Sequence, residues 1–463
     1  MNLRDIHKVY MLGIGGSGMS ALAQYFNLTG IKVAGYDRIE SPITTMLIKQ
    51  GIDVNFIDDP GAIPETFRMP PETGECLVVY TPAIPSDNEQ FMFFRNNGYD
   101  CFKRSQILGE ISKEYNTIAV GGSHGKTTVS AMIAEVLRNS KLGCSAFLGG
   151  VSKNLGSNFI MNYESGWAVM EADEFDRSFL YLHPKMLVVT SMDPDHLDIY
   201  GDASNLKKSF TGFMDRLPEN GIALVKEGLD DIVPPGKTLN VRFYGMESGR
   251  DYRAVNIQAY GIFYRFDLAT PSGYIPDLIT GVPGWLNVEN AVAASSICCE
   301  AGVDEDSIRT GISGFRGIQR RFDLRISNDK ITYIDDYAHH PKEISSFIES
   351  LRKLFPDKAI TGIFQPHLFT RTKDFAREFG EELGKLDELI LLDIYPAREK
   401  PIEGVSSELI LDEVSLEKKR ICKKDELIRV LDSEQREIVV TMGAGDIGLL
   451  VEQLENHFIG YAS

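Results

Sequence analysis

No two cysteines in this chain are spaced as C-x-x-C. The six, at 76, 101, 144, 298, 299 and 422, match neither a zinc site nor a disulfide framework and read as reduced, mostly buried thiols. No apolar run approaches the ~20 residues a membrane-spanning helix needs, and no basic leader with an apolar core and a cleavage site opens the sequence. The expectation is a cytoplasmic protein with no membrane partner. Positive charge is scarce: 48 Lys and Arg face 66 Asp and Glu, a formal charge of -18. That balance disfavours an extended phosphate-backbone surface, so nucleic acid is not an expected partner. An anionic small molecule is still compatible with it, because glycine loops, helix N-termini, single cations and a metal hold phosphate locally. No internal repeat or low-complexity tract stands out.

What is present is an ordinary globular composition, 43% apolar and 25% charged, in 463 residues. At about 100–200 residues per domain this length suggests two to four domains, and three are taken forward. Strand and helix periodicities alternate almost throughout. A strand over 7–13, a helix over 17–29 and a strand over 31–36 form one βαβ unit, and 76–84 reads as a later buried strand. The pattern restarts near 104 with a strand over 116–122 and a helix over 126–141. Strands over 166–171 and 185–190 run into acidic residues, 221–285 is richer in β-like alternation, and 287–303 reads as a buried helix. Past a linker at 314–323 come strand 330–335, helix 341–354 and strands 358–364, 387–394 and 437–442. The fold class expected is α/β in three domains, spanning 1–104, 105–317 and 318–463.

Two glycine loops carry the chemistry. In HKVYMLGIGGSGMS, residues 7–20, Gly13, Gly15 and Gly18 fit the G-x-G-x-x-G pattern, in which a helix N-terminus cradles a pyrophosphate. Asp37 follows Gly18 by 19 residues, where an acid for a ribose is expected. A nicotinamide dehydrogenase is one reading of this loop. A UDP-sugar presents the same diphosphate and ribose and is another.

The second loop is GGSHGKTT, residues 121–128. It departs from G-x-x-x-x-G-K-[ST] only in having Val120 at the first glycine position. A buried strand enters it and a helix leaves, so Lys126 is placed to reach terminal phosphates and the Thr127 hydroxyl to reach Mg²⁺. Phosphoryl transfer spreads charge over several oxygens, which calls for metal ligands nearby. Glu171, at the end of one expected strand, and His196, in DPDHLD after the next, fall at the carboxyl ends of neighbours of the phosphate-loop strand. Magnesium prefers oxygen, so His196 is an unusual ligand, and Asp193, Asp195 and Asp198 are also in reach. The plain alternative for Glu171, Asp173 and Glu174 is a solvated acidic turn.

GIGGSGMSALA (13–23), GSHGKTT (122–128), EADEFDRSFL (171–180), DPDHLD (193–198), RRFD (320–323), DDYAHHP (335–341), FQPH (364–367) and TRT (370–372) occur in this order along nearly the whole chain. Jointly they resemble the Mur ligases. The resemblance implies an N-terminal Rossmann-like UDP-binding domain, a central P-loop ATPase-type α/β domain and a C-terminal Rossmann-like domain for the amino acid. It further implies that the lactyl carboxylate of UDP-N-acetylmuramate attacks the γ-phosphate of ATP and that the amine of L-alanine displaces phosphate from the acyl phosphate.

Carried over position by position, it makes Gly15, Gly16, Ser17, Gly18, Asp37, Thr81 and Ala83 the UDP-sugar residues. Gly122, Ser123, His124, Gly125, Lys126, Thr127, Thr128, Asn287, Asn290, Arg321 and Asp336 become the ATP residues. Thr127, Glu171 and His196 fall to Mg²⁺, and Tyr337, His339, His367 and Arg371 to the amino acid, with Lys126, Glu171, His196 and His339 catalytic. Arg371 suits the alanine carboxylate, since its planar fork matches a carboxylate bidentately. Two departures stand out: Leu286 replaces the histidine common in G-x-H-N-x-x-N-A, and Leu368 replaces an arginine often found after FQPH. A tripeptide in place of L-alanine, as in murein peptide ligases, is the alternative amine. A non-catalytic nucleotide sensor, in which phosphate release yields no amide, is a further class. A monomer or homodimer is expected.

Overall fold

A computed structural model describes residues 3–69, 76–193, 200, 202–397, 399–432 and 436–462. Two compact units emerge, the first of 1–258, 265–281 and 289–316, the second of 259–264, 282–288 and 317–463. Among the described residues three sheets form, of five, ten and six strands.

The five-stranded sheet is parallel throughout, with Lys8–Leu12 at its centre between Lys32–Tyr36 and Cys76–Tyr80. Its central strand is a continuous apolar run because it is covered on both faces: Val9 and Met11 join one buried cluster, Tyr10 and Leu12 another. The chain order reverses at this strand, and such a switch point opens a crevice beyond the carboxyl ends of the strands.

In the ten-stranded sheet the strand Asn116–Gly121 lies between two parallel neighbours, Trp167–Ala172 and Met186–Val189. Register pairs Gly121 with Ala172 on one side and Val189 on the other, so all three strands end at one edge. The neighbours expected from sequence are the ones observed. The helix expected over 126–141 runs Lys126–Arg138, and at its end the Asn139 side-chain amide donates to the Glu135 carbonyl at 2.8 Å.

The second unit is built on the six-stranded sheet, with Thr332–Asp336, Ile438–Met442, Ile360–Phe364 and Glu388–Leu391 parallel in sequence across it. Its helix Pro341–Leu354 has the bounds its pattern predicts. Pro341 opens it, Glu343 caps it together with His340, and Ile344, Phe347, Ile348 and Leu351 recur on one buried face. No helix among the described residues is long and apolar enough to cross a membrane.

Candidate active site

The first glycine turn is shaped by what its glycines touch. Gly13 is left-handed at φ 82°, and a Cβ there would lie 2.4 Å from Cγ2 of Thr81. Gly16 precedes the helix Ser17–Leu28 without a side-chain cap, which leaves the first-turn N–H groups to a ligand. Asp37 stands where its spacing predicts, with Oδ2 accepting from Gly15 N–H at 2.8 Å and Oδ1 from Ile39 N–H at 3.2 Å. It therefore shapes the turn before it meets any ribose. Ala83 N–H donates to the Thr81 hydroxyl at 3.5 Å, folding the loop after the strand Cys76–Tyr80 toward the same turn.

A cavity of about 250 Å³ opens beside this turn. Gly16, Ser17, Gly18 and Thr81 line one side, Gly149, Glu171 and Asp173 the other. The Ser17 hydroxyl donates to the Gly149 carbonyl at 2.7 Å, and Gly149 N–H donates to Glu171 Oε2 at 2.9 Å. Arg104 lies on the cavity wall, 3.5 Å from Asp173.

The second loop is built for close approach. Gly122 has φ 144°, and a Cβ on it would sit 2.2 Å from the Thr190 hydroxyl; Gly125 has φ 82° and caps the helix that follows. Residues from the neighbouring strand's end hold the loop. Thr190 donates to the His124 carbonyl at 2.5 Å, Ser191 accepts from His124 N–H at 2.7 Å, and the Ser123 hydroxyl donates to the Asp193 carbonyl at 2.9 Å. Thr127 and Thr128 form the half-buried first turn of the helix. Asn290 reaches the loop, its Oδ1 lying 3.1 Å from a Cβ built on Gly125. Asn287 does something else, donating to Pro283 O at 2.7 Å and closing its own turn.

Lys126 donates to Gly122 O at 2.5 Å and Ser123 O at 3.3 Å, and pairs with Glu174 at 2.7 Å. Burial works against its charge, but Glu174, Asp173 and Glu171 outweigh burial and raise its pKa above the ordinary lysine value. Glu174 is only 3% exposed, so the solvated-turn alternative fails for this residue. Burial lifts its pKa, opposed by Lys126. The sequence carried a weak signal for it, a third acid three residues after Glu171. His196, with Asp195 and Asp198, lies outside the described residues; Asp193 is within them, 3.7 Å from His124.

A third cluster belongs to the second unit. Asp336 ends its strand buried, accepting from Phe322 N–H at 2.6 Å and Ala338 N–H at 2.7 Å. Burial pushes its carboxyl up to about 6, against the pull of Arg321. The Arg321 guanidinium lies 5.0 Å from the Tyr337 ring centroid. His339 packs edge-on to Tyr337 and His367, and its Nδ1 is 2.8 Å from Tyr337 O. Burial lowers the His339 pKa, opposed by Glu343 and reinforced by Arg371 and Arg321, so the ring is neutral near pH 7. With Nδ1 donating to the carbonyl, Nε2 is left as a proton acceptor. Arg371 Nη1 is buried with no acceptor among the described residues, a fit for an arriving anion.

Family comparisons agree along the chain. The description "Mur ligase family, catalytic domain" matches residues 8–116, "Mur ligase middle domain" 120–298 and "Mur ligase, glutamate ligase domain" 320–445. A UDP-N-acetylmuramate–L-alanine ligase of Phocaeicola vulgatus is 44% identical over 98% of both chains. One of Porphyromonas gingivalis is 45% identical over 96% of this chain and 97% of its own. The crystal structure of the UDP-N-acetylmuramate–alanine ligase of Thermotoga maritima superposes with a TM-score of 0.83 at 25% identity, covering 98% of this chain and 99% of its own. A murein peptide ligase of Psychrobacter arcticus shares the fold, with a TM-score of 0.71 at 21% identity over 97% and 98% of the two chains.

Proposed function

The chain belongs to the Mur ligase family, and from that membership we propose that it joins L-alanine to UDP-N-acetylmuramate in an ATP-dependent reaction of peptidoglycan precursor synthesis. The observation that carries the reading is the cavity with the first glycine turn on one wall and Glu171 and Asp173, two of the acids around Lys126, on the other. A nucleotide sugar held by its diphosphate at Gly16–Gly18 would extend its acid group toward the phosphate loop.

In this reading a lactyl carboxylate oxygen attacks the γ-phosphorus of ATP, the bond to the β,γ-bridging oxygen breaks, and ADP leaves. The carboxylate now carries a phosphate leaving group in place of oxide. The alanine nitrogen then adds to the carbonyl carbon, and the tetrahedral intermediate expels phosphate to give the amide. Lys126 stabilises charge on the transferred phosphoryl group in the first step and on the departing phosphate in the second. His339, neutral and with Nε2 free to accept, takes the proton that the alanine ammonium must lose before it attacks. Arg371 holds the alanine carboxylate, with Tyr337 and His367 around it, while Arg321, Asp336 and Asn290 serve ATP.

Mg²⁺ fits the donor set. This ion usually takes one or two carboxylates plus substrate phosphates; Glu171, whose charge acts on Lys126, and the Thr127 hydroxyl in the first turn after the loop would supply such donors, with His196 as the remaining family position. When bound, it would neutralise charge on the phosphates. We assign the UDP-sugar role to 1–104, the ATP role to 105–317 and the amino-acid role to 318–463. Six free thiols and the use of ATP suit a reducing, cytoplasmic setting.

The test is ADP release from ATP and Mg²⁺ with UDP-N-acetylmuramate and either L-alanine or the L-Ala-D-Glu-diaminopimelate tripeptide. Release with L-alanine supports the reading; faster turnover of the tripeptide makes the chain a murein peptide ligase instead.

A further inference from the structure

The helix Phe369–Leu383 starts without a cap of its own. Leu368 stands at the N-cap position with no side-chain acceptor and at a positive φ of 73°, a backbone conformation unusual for a residue with a Cβ. The open N–H groups of a first turn need an acceptor. Here it comes from 29 residues away: Glu399 accepts from Thr370 N–H at 3.0 Å and from the Thr370 hydroxyl at 2.5 Å. Tyr395, on the same loop, is also tied in. Its N–H donates to Pro366 O at 2.8 Å, its carbonyl accepts from Leu368 N–H at 3.0 Å, and its ring stacks on His367 with centroids 5.8 Å apart. Arg371 follows Thr370 in that same turn, its Nη1 buried without an acceptor among the described residues.

We infer that Glu399 is a positioning residue for the amine substrate: it fixes the turn that carries Arg371 and occupies the helix end, leaving the substrate carboxylate to the guanidinium. A helix N-terminus attracts carboxylates, and a second one is repelled once Glu399 is seated there. Burial opposes the charge of Glu399, but the hydroxyl and N–H of Thr370 and the N–H of Phe369 outweigh it and hold its carboxyl below the usual glutamate range. It is therefore ionised when the substrate arrives. The inference rests on the role given to Arg371 above, and Glu399 acts through that residue.

Steady-state ADP release by full-length E399A and E399Q tests it. For E399A, the KM for L-alanine should rise about 10- to 30-fold, the size expected for a lost cap and a loosened anchor. The kcat at saturating alanine should stay within about threefold, and the KM values for ATP and UDP-N-acetylmuramate should not move. E399Q, which keeps an oxygen for Thr370 N–H and loses the charge, should fall between, and it still decides the matter if E399A does not fold. An alanine KM within about twofold of wild type in both variants overturns the inference, as does an equal rise in all three KM values. Sustained ADP release by the wild-type chain over many turnovers with no alanine present, at the rate seen with alanine, would sink the ligase reading as well.

Discussion

Ser17 and Gly149 are 132 residues apart, yet the hydroxyl of one is hydrogen-bonded to the carbonyl of the other at 2.7 Å. Gly149 also holds Glu171, so a residue with no side chain links the first glycine turn to an acid beside Lys126.

Gly149 leaves no room for a methyl group, since a Cβ would sit 2.2 Å from Glu171 Oε1. The obstacle is the end of a flexible side chain, so Gly149→Ala should fold, with a melting temperature within about 3 °C of wild type. It should displace the carboxylate and raise the Mg²⁺ concentration for half-maximal ADP release about 10-fold or more, as groups that orient metal ligands do. An unchanged Mg²⁺ titration would show that Glu171 does not serve the metal.

Lys126→Ala should abolish ATP turnover while calorimetric binding of UDP-N-acetylmuramate stays within about threefold, because the diphosphate and the triphosphate use different loops. It also leaves Glu174 buried without its cation, which costs about 3–5 kcal/mol unless the acid takes up a proton. Adding Glu174→Gln should therefore recover the melting temperature and not the turnover. Near-normal ligation by Lys126→Ala removes the role assigned to the lysine.

Asp336 should titrate near pH 6, against 3.8 for an ordinary aspartate. The sign follows from linkage. Between those values the folded protein keeps a proton that the unfolded chain has lost, so this residue's contribution is complete below pH 4 and declines as pH rises through 6. The decline amounts to about 3 kcal/mol. Carboxyl ¹³C shifts of the folded protein read the midpoint directly, and a midpoint below 4 contradicts the burial argument.

Arg371→Lys keeps the charge and loses the fork. The KM for L-alanine should rise about 10- to 100-fold with kcat little changed, because a lysine cannot make the bidentate pair. A variant with the wild-type alanine KM places the substrate carboxylate elsewhere.

Much of this was legible where chemistry is local. The strand before Gly121 and the helix after Lys126 follow from periodicity, and the bounds of Pro341–Leu354 follow from a proline, a capping pair and an apolar stripe. Parallel neighbours follow from apolar strands that end in acids, which is how Glu171 came to stand beside the phosphate loop. What the sequence hid depends on contacts across long separations. Glu399 reaches back 29 residues to Thr370, and nothing in ARE beside TRT announces it. Glu174 reads as one more acid in a polar turn until burial shows it beneath Lys126. Asp37 was legible in position but not in partner, because a glycine N–H claims one of its oxygens.

The residues divide between the two compact units in a way that bears on how such an enzyme is altered. Lys126, Glu171, Glu174 and the first glycine turn all belong to one, while His339, His367, Arg371 and Glu399 all belong to the other. On the roles proposed above, the phosphate loop and its acids lie in one unit and the amine pocket in the other, although Arg321 and Asp336, proposed for ATP, fall in the second as well. If those roles hold, exchanging the stretch after residue 317 among relatives should change which amine is accepted while the activated sugar stays the same.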